Sequence, residues 1–367
     1  MKERSIRILG TRGVPAAHGG FETFAEYLAL YLVRHGWQVT VYCQDDKAGP
    51  EYEDDWEGVH RVHIPVTRQG PLGTIIFDWK STLHASNKKE LILTLGYNTA
   101  LFCAIYRMKG LTNLINMDGI EWQRAKWSRP IRIWFWLNER LGCLLGNHLV
   151  ADNPGIMNHL ATRVPAEKIT MIPYGAKKVD GADVAALANF NLEPSKFITI
   201  VARPEPENSI LEMVKAFSRK KRGVKLVVLG RYDASHAYQK KVMDAASAEV
   251  IFPGAIYDKQ ILEALRFYSL LYMHGHQVGG TNPSLLEALG AGNPVLAHGN
   301  QFNRWVAGEG ARYFSDEDSC ASELDIILGD IDARNSMVTS SKQRYEEVFT
   351  WDKVLGEYEA LLVSWHL

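Results

Sequence analysis

The stretch that decides the fold is SIRILGTRGVPAAHGGFETFAEYLALYLVRHGWQVTVYCQDD, residues 5–46. It predicts a short strand, a glycine-rich loop, an amphipathic helix that stops at Gly36, and a second strand. Apolar residues recur at helical spacing in its middle, and residues 39–43 have the continuous apolar character of a buried parallel strand. The stretch is therefore a βαβ unit.

The same alternation continues along the chain. Further strands are predicted within residues 60–65, 91–96, 113–119, 148–153 and 168–175, and a second series follows in segments that begin at residues 196, 224, 248, 269 and 292. Strands that alternate with helical stretches indicate an α/β fold class.

At 367 residues the chain favours two domains. The Gly-, Ala- and Asp-rich segment 175–195 carries the linker signal, so we predict an N-terminal domain at 1–178 and a C-terminal domain at 179–345. Residues 346–367 form a helical tail, with a break near Phe349 and Thr350, that can return to the first domain.

Composition excludes several classes of protein. Hydrophobic residues make up 46% of the chain and charged residues 23%, as in a soluble enzyme, and the net charge of −1 argues against a whole-surface nucleic-acid binder. The start lacks the apolar run of a signal peptide, and no apolar run nears the roughly 20 residues of a membrane span. Four separated cysteines are expected to be buried thiols in a reducing cytosol: Cys43, Cys103, Cys143 and Cys320.

The first candidate site is the loop at residues 10–23, GTRGVPAAHGGFET. Glycines between a strand and a helix let a ligand approach the backbone, and free N–H groups at a helix start favour an anion. Gly19 and Gly20 are the predicted contacts, with Arg12 and His18 beside them. A turn that needs positive φ explains the glycines equally, and the missing G-x-G-x-x-G weakens a dinucleotide site.

The second is VARPEPENS, residues 201–209. Arg203 follows a parallel strand, where ligands bind in open sheets, and can meet a diphosphate, while Glu207 and Asn208 add polar groups. The alternative is a solvated acidic loop with Arg203 in a salt bridge.

The third is GHQVGGTNPSLLEALGAGNPV, residues 275–295. Thr281 or Asn282 can cap a helix directly after Gly280, which builds a site for an anion or a hydroxyl. Glu287 can accept hydrogen bonds from ribose hydroxyls, or it is simply a helix-surface glutamate.

The fourth is residues 116–140, where Asp118 and Glu121 follow a strand and can orient or deprotonate an acceptor hydroxyl. Residues 122–140 then interleave arginine and lysine with tryptophan and phenylalanine, which suits a membrane headgroup interface. Core tryptophans with solvated arginines are the alternative, and nucleic-acid stacking is less favoured.

Two smaller features complete the survey. Tyr97 and Asn98, like Asp152 and Asn153, follow predicted strands and can line the same cleft, although turn chemistry also explains them. Two histidines at 274 and 276 point to one face of a strand, but no third ligand follows at metal spacing, so no metal site is predicted.

Taken together, GTRGVPAAHGGFET, MDGIEWQRAKWS, ARPEPENSI and GGTNPSLLEALGAGNPVLAH resemble glycosyltransferase family 4, in particular its bacterial rhamnosyltransferase-like branch. The resemblance spans nearly the whole chain. It implies a GT-B fold, in which two Rossmann-like domains face across a cleft, with an N-terminal acceptor-side domain and a C-terminal domain that binds the donor nucleotide. It also implies retaining transfer from a nucleotide diphosphate sugar without a metal or a cofactor.

The branch implies dTDP-rhamnose as donor, with a UDP-sugar as the alternative. The implied acceptor is a lipid-linked or other saccharide in cell-surface polysaccharide synthesis, reached by a cytoplasmic enzyme that contacts the inner membrane face through residues 122–140.

By position, Gly19 and Gly20 match the glycine loop of the family's N-terminal domain, and Arg203 matches the arginine that neutralises the leaving diphosphate. Glu287 matches the second acid of the E-x7-E motif. The first acid falls at Gly279 and an expected lysine at Ser209, so the sugar and phosphate contacts must differ here.

The substitute contacts lie nearby in sequence. His276, Thr281 and Asn282 are candidates for the sugar, and Glu207 either addresses a sugar hydroxyl or fixes Arg203. No enzyme nucleophile is needed, because Arg203 stabilises the leaving diphosphate while Asp118 positions the acceptor or acts as an auxiliary base. The predicted acceptor-binding residues are Arg12, His18, Tyr97, Asn98 and Arg124.

Two other functions stay open at this point. A nicotinamide-dependent nucleotide-sugar oxidoreductase or epimerase would share the βαβ start, and Asp45 and Asp46 after the second strand favour it. A non-catalytic GT-B scaffold that binds a sugar nucleotide would explain the two lost family positions.

Overall fold

The computed structural model describes residues 4–17 and 19–366, so the predicted acceptor residue His18 lies outside the described residues. The chain divides into two compact units. Unit 1 comprises Met1–Gln123, Trp127–Tyr174 and Trp351–Leu367, and unit 2 comprises Arg124–Lys126 and Gly175–Thr350. The predicted α/β class is confirmed in both.

Unit 1 is built on an eight-stranded sheet. Its strands are β1 (Ser5–Leu9), β2 (Gln38–Asp45), β3 (Tyr52–Trp56), β4 (Val59–Pro65), β5 (Leu91–Leu95), β6 (Asn113–Asn116), β7 (His148–Ala151) and β8 (Ile169–Met171), in the order β3-β4-β2-β1-β5-β6-β7-β8. All neighbours are parallel except β3 and β4. The predicted βαβ unit is confirmed because β1 pairs in parallel with β2.

Strand β3 was not predicted. Its sequence, YEDDW, is polar and carries no apolar alternation, so periodicity alone gives no strand signal. Antiparallel pairing with β4 stabilises β3, and the Asp54 carboxylate accepts two hydrogen bonds from Arg61 of β4, at 2.7 and 2.6 Å.

The helices of unit 1 cover the sheet between its strands. They are α1 (Gly20–Arg34), α2 (Gly70–Ala85), α3 (Ala104–Met108), α4 (Arg129–Leu145) and α5 (Pro154–Ala161), with 3-10 turns at Ala100–Cys103, Glu121–Gln123 and Ala166–Lys168. Helix α1 buries Phe24, Leu28 and Leu32 at helical spacing.

Unit 2 is built on six parallel strands. They are β9 (Phe197–Val201), β10 (Lys225–Leu229), β11 (Val250–Ile251), β12 (Leu271–His274), β13 (Val295–His298) and β14 (Arg312–Phe314), in the order β11-β10-β9-β12-β13-β14. Its helices are α6 (Ile210–Ser218), α7 (Ala237–Asp244), α8 (Lys259–Phe267), α9 (Pro283–Gly290), α10 (Gln301–Ala307), α11 (Glu317–Gly329) and α12 (Ile331–Val348), with 3-10 turns at Val184–Phe190 and Pro206–Asn208.

The segment predicted to be a linker is folded into unit 2. Its 3-10 turn, Val184–Phe190, is capped by Asp183, and Leu187 and Leu192 pack in the hydrophobic core with Phe197 of β9. Small polar residues gave the linker signal, but two buried leucines hold the segment to the sheet.

The predicted break in the C-terminal tail is confirmed, because α12 ends at Val348 and the last helix, α13 (Trp351–Trp365), begins three residues later. Helix α13 belongs to unit 1, where the Nδ2 of buried Asn116 donates to the buried Tyr358 hydroxyl at 2.8 Å. The four cysteines are buried free thiols, as expected.

Candidate functional site

The loops after β9 and β12 lie side by side in unit 2. The chain runs outward from β9 to β11 and then returns to β12 on the other side of β9, so the strand order reverses between them, which is where open α/β sheets bind ligands. The backbone N–H of Gln277 donates to the Glu207 carbonyl at 2.9 Å. Gly275 approaches so closely that an added Cβ would lie 2.1 Å from the Asn208 carbonyl oxygen, so only glycine fits there.

Arg203 is presented at the end of β9. Its side chain is exposed, while its backbone carbonyl accepts a 2.8 Å hydrogen bond from the Nδ2 of Asn208. Asn208 is itself 5% exposed. Asn208 therefore stabilises the conformation of the loop that carries Arg203.

Glu207 is paired with Arg124. The Arg124 Nη1 donates to the Glu207 Oε1 at 2.9 Å, and the Glu207 side chain is 8% exposed. The sequence left open whether Glu207 addresses a sugar hydroxyl or fixes Arg203. In the structure its carboxylate pairs with Arg124, a predicted acceptor-binding residue.

His276 is held from both its backbone and its ring. Its carbonyl accepts from the side-chain amides of Asn300 and Asn303, each at 2.8 Å, and its ring stacks on His274 with 4.3 Å between centroids. Burial, together with the positive charges of Arg124 and Arg203, lowers the pKa of His276 to about 3. The ring is therefore neutral at physiological pH.

The start of α9 has the predicted geometry of a capped helix. The Asn282 side chain accepts from the Ser284 backbone N–H at 3.0 Å and from its hydroxyl at 2.8 Å. Thr281 is 3% exposed, directly after Gly280. One turn into the helix, Glu287 forms an ion pair with Arg266, and its side chain is 43% exposed.

Both departures from the family pattern have a local explanation. Ser209 has a left-handed backbone with φ of 48° and is 1% exposed, and its hydroxyl accepts from the Gln277 side chain at 2.8 Å, so a lysine has no room there. Gly279 has φ of 131°, and a Cβ added to it would lie 3.6 Å from the Arg124 Nη2.

In unit 1, the loop after β1 is held by two glutamates of α1 that sequence reasoning missed. The Glu22 Oε1 accepts from the Arg12 backbone N–H at 3.2 Å, and the Glu26 Oε2 accepts from the Ala16 N–H at 2.5 Å. Gly19, with φ of 81°, precedes Gly20 at the first position of α1. A carboxylate twelve or more residues beyond a strand looks like an ordinary helix surface residue, so no local signal marks this role.

The loop after β6 carries Asp118 and Glu121. Asp118 has a left-handed backbone, φ of 50°, and its N–H donates to the Asn116 Oδ1 at 2.9 Å. The Glu121 N–H donates to the Tyr97 hydroxyl at 2.8 Å, and Tyr97 is 1% exposed. Tyr97 thus lies beneath the loop and positions it, whereas the neighbouring Asn98 side chain is exposed.

The basic and aromatic segment divides into two sets. The indole N–H groups of Trp122, Trp127 and Trp134 donate to Glu139, Glu121 and the Asn98 carbonyl, at 2.7, 3.2 and 2.9 Å. These three half-buried tryptophans are therefore bonded to groups of unit 1. Helix α4 presents other apolar side chains to the exterior, namely Ile131, Ile133, Trp136, Leu137 and Leu144, which are 37 to 67% exposed.

Comparison with known families decides the class of protein. Residues 188–344 match the family described as Glycosyl transferases group 1. The chain is a glycosyltransferase. Residues 3–177 match a family described as Domain of unknown function (DUF1972). The match selects the transferase over the nicotinamide-dependent enzyme. No curated protein matches the chain.

Solved structures confirm the GT-B fold. The sucrose-phosphate synthase of Thermosynechococcus elongatus is similar with a TM-score of 0.81 at 17% identity, over 98% of each chain. HepE of Anabaena in complex with UDP has a TM-score of 0.73 at 12% identity, over 98% of this transferase and 100% of HepE. An alpha,alpha-trehalose-phosphate synthase (UDP-forming) from Burkholderia xenovorans has a TM-score of 0.74 at 13% identity, over 98% and 99%.

Two properties of the described residues bear on partners. Within the described part of the chain, no helix is both long enough and apolar enough to span a bilayer. Among the same residues, no group of three His, Cys, Asp or Glu side chains is placed to hold a metal ion.

Proposed function

We propose that this glycosyltransferase moves a sugar, L-rhamnose from dTDP-rhamnose, to a lipid-linked or other saccharide acceptor in cell-surface polysaccharide synthesis. The observation that carries the donor part is the exposed Arg203, which follows β9 at the switch point of unit 2, on a loop bonded to the one that leads into the capped start of α9. A guanidinium beside a helix start is suited to a diphosphate. HepE, which is similar in fold, is described in complex with UDP.

The chemistry proposed for this site is retaining and metal-free. As the bond between the sugar and the diphosphate breaks, negative charge grows on the leaving oxygens, and Arg203 stabilises it. The acceptor hydroxyl attacks from the same face, and its proton passes to a phosphate oxygen. Asp118, at the end of β6, orients that hydroxyl or serves as an auxiliary base. Glu287 binds the ribose, with Arg266 fixing its carboxylate.

A thermal-shift panel tests the donor. A ligand at 100 times its dissociation constant should add about 2.7 kcal/mol to the free energy of unfolding. We expect this stabilisation with dTDP-rhamnose and a smaller one with UDP-glucose. Stabilisation by UDP-glucose alone would replace rhamnose with another sugar, and a shift with NAD but no nucleotide sugar would contradict the proposal as a whole.

Helix α4 supports the membrane part of the proposal. Its exposed residues Ile133, Trp136, Leu137 and Leu144 recur at helical spacing, and Arg140 stacks on Trp136 with its guanidinium 3.6 Å from the ring centroid. Apolar side chains flanked by arginines match an interfacial helix that meets anionic headgroups.

Vesicle co-sedimentation tests this surface with matched variants. We expect Ile133→Asp and Leu144→Asp to lower binding to vesicles that contain phosphatidylglycerol by about 10-fold together, because each removes buried apolar area and adds a repelled charge. Ile331→Asp, which changes an equally exposed isoleucine of unit 2, is the control. Equal loss in the control and the α4 variants would assign the effect to general destabilisation.

A further inference from the structure

We propose that the Glu207 Oε2 is the group that recognises a hydroxyl of the donor sugar, and that Arg124 is the positioning residue that aims it. The inference rests on the proposed function and names the contact that replaces the acid missing at Gly279. The sequence offers Glu207 as one candidate for a sugar hydroxyl, and the structure adds its partner Arg124, which is 83 residues away in the chain.

The first step is the state of the Glu207 carboxylate. Its Oε1 is taken by Arg124, but its Oε2 is buried and has no hydrogen-bond partner among the described residues. A buried polar atom without a partner destabilises the folded state, and it does so more strongly when it is charged. The unpaired Oε2 lies on the loop after β9 of unit 2, at the end of the sheet where ligands bind in such folds. This position indicates that a ligand supplies its missing hydrogen bond.

The second step is the chemistry of that ligand. A carboxylate paired with a guanidinium can only accept hydrogen bonds, so its partner must carry an O–H or N–H group. Phosphate oxygens are repelled by it, whereas sugar hydroxyls are donors. Arg203, four residues earlier on the same loop, is exposed and remains for the diphosphate. The loop therefore separates a phosphate contact from a sugar contact.

The third step is the space around the carboxylate. Gly279 brings no side chain, and the Arg124 Nη2 lies 3.6 Å from where its Cβ would be, so Arg124 spans the distance from Glu207 to the loop after β12. The Nδ1 of His276, the residue before Gln277 on that loop, is likewise buried and has no hydrogen-bond partner within residues 4–17 and 19–366. A sugar ring, which offers several hydroxyls as donors and acceptors, can satisfy both atoms.

The test measures two dissociation constants by calorimetry, for dTDP-rhamnose and for dTDP alone, and uses their ratio as the readout. We expect Glu207→Gln to weaken dTDP-rhamnose by about 10-fold and Glu207→Ala by about 100-fold, the range for a hydrogen bond to a charged group. Binding of dTDP should stay within about 3-fold or tighten, since a negative charge near Arg203 is lost. Arg124→Lys should keep most of the ratio and Arg124→Gln should lose it.

Glu205→Gln is the matched control, because it removes the same charge from the same loop and should leave the ratio within 2-fold. Equal weakening of dTDP and dTDP-rhamnose in Glu207→Gln would overturn the inference, as would an unchanged ratio in Glu207→Ala. If the wild type binds neither dTDP-rhamnose nor UDP-glucose, the proposed donor is wrong and the inference falls with it. If the wild type binds only UDP-glucose, the same variants are measured against UDP-glucose and UDP.

Discussion

In unit 1 the loops after β1 and β6 are held by side-chain acceptors, whereas in unit 2 the loops after β9 and β12 each contain a buried polar atom without a hydrogen-bond partner among the described residues. Glu22, Asn116 and Tyr97 each accept a backbone N–H of a unit 1 loop. In unit 2 the Glu207 Oε2 and the His276 Nδ1 have no such partner. The Asn153 Nδ2, after β7 of unit 1, is also buried without a partner among the described residues, so the contrast applies to these four loops and not to the whole units. In the two unit 2 loops a ligand can supply the missing hydrogen bonds.

The largest expected effect tests whether unit 2 carries the charge stabilisation. Replacing Arg203 by alanine should lower kcat by 10² to 10³-fold, about 3–4 kcal/mol in the barrier, because a charge-stabilising donor is lost. Arg219→Ala is the control, since Arg219 is a unit 2 arginine in a surface ion pair with Glu317 and should change kcat less than 2-fold. An unchanged kcat in Arg203→Ala would show that Arg203 does not stabilise the charge on the leaving diphosphate.

The next effect concerns pH and stability in unit 1. The Asp78 carboxylate accepts from the Thr99 hydroxyl at 2.8 Å, and burial raises the pKa of Asp78 to about 7. The fold favours the protonated carboxyl, so its stability is greatest below pH about 4 and falls as the pH rises to about 7. Asp78→Asn, which keeps an acceptor for Thr99, should therefore raise the free energy of unfolding at pH 7.5 by about 3 kcal/mol and change it little at pH 4.

Urea denaturation at the two pH values measures this, with Asp180→Asn as control because Asp180 is exposed. A gain of equal size at both pH values would show that packing, and not ionisation, explains the change.

The smallest effect has the opposite sign and lies in unit 2. Because the pKa of His276 is lowered to about 3 by burial and by two arginines, the fold favours the neutral ring. Stability is complete above pH about 6.5 and falls as the pH drops toward 3. His276→Asn should remove this loss and add about 2 kcal/mol at pH 5 relative to its effect at pH 7.5.

Denaturation at these two pH values, with the exposed His236→Asn as control, measures the His276 contribution. If both histidine variants respond alike to acid, the buried site of unit 2 does not set the acid response. The contrast between the units would then be confined to their hydrogen bonds.

The sequence predicted most strands because buried parallel strands are short apolar runs between turn residues, as in VTVYC and VKLVVLG. It missed β3, whose polar residues are ordered by pairing with β4, and β14, whose three residues are too short a run to mark a strand. It also took the folded segment of Leu187 for a linker, since composition does not reveal packing.

What the sequence by itself determined is local: the βαβ start, the loops after β9 and β12, and the capped start of α9. Each depends on residues close together in the chain, so periodicity and turn chemistry are enough to reveal it. What only the tertiary structure decided is which distant side chains meet: Arg124 with Glu207, Glu287 with Arg266, and Tyr358 with Asn116. Those pairs depend on how the strands are ordered in each sheet. Strand order is set by the packing of residues that are far apart in sequence, so a local sequence pattern does not predict it.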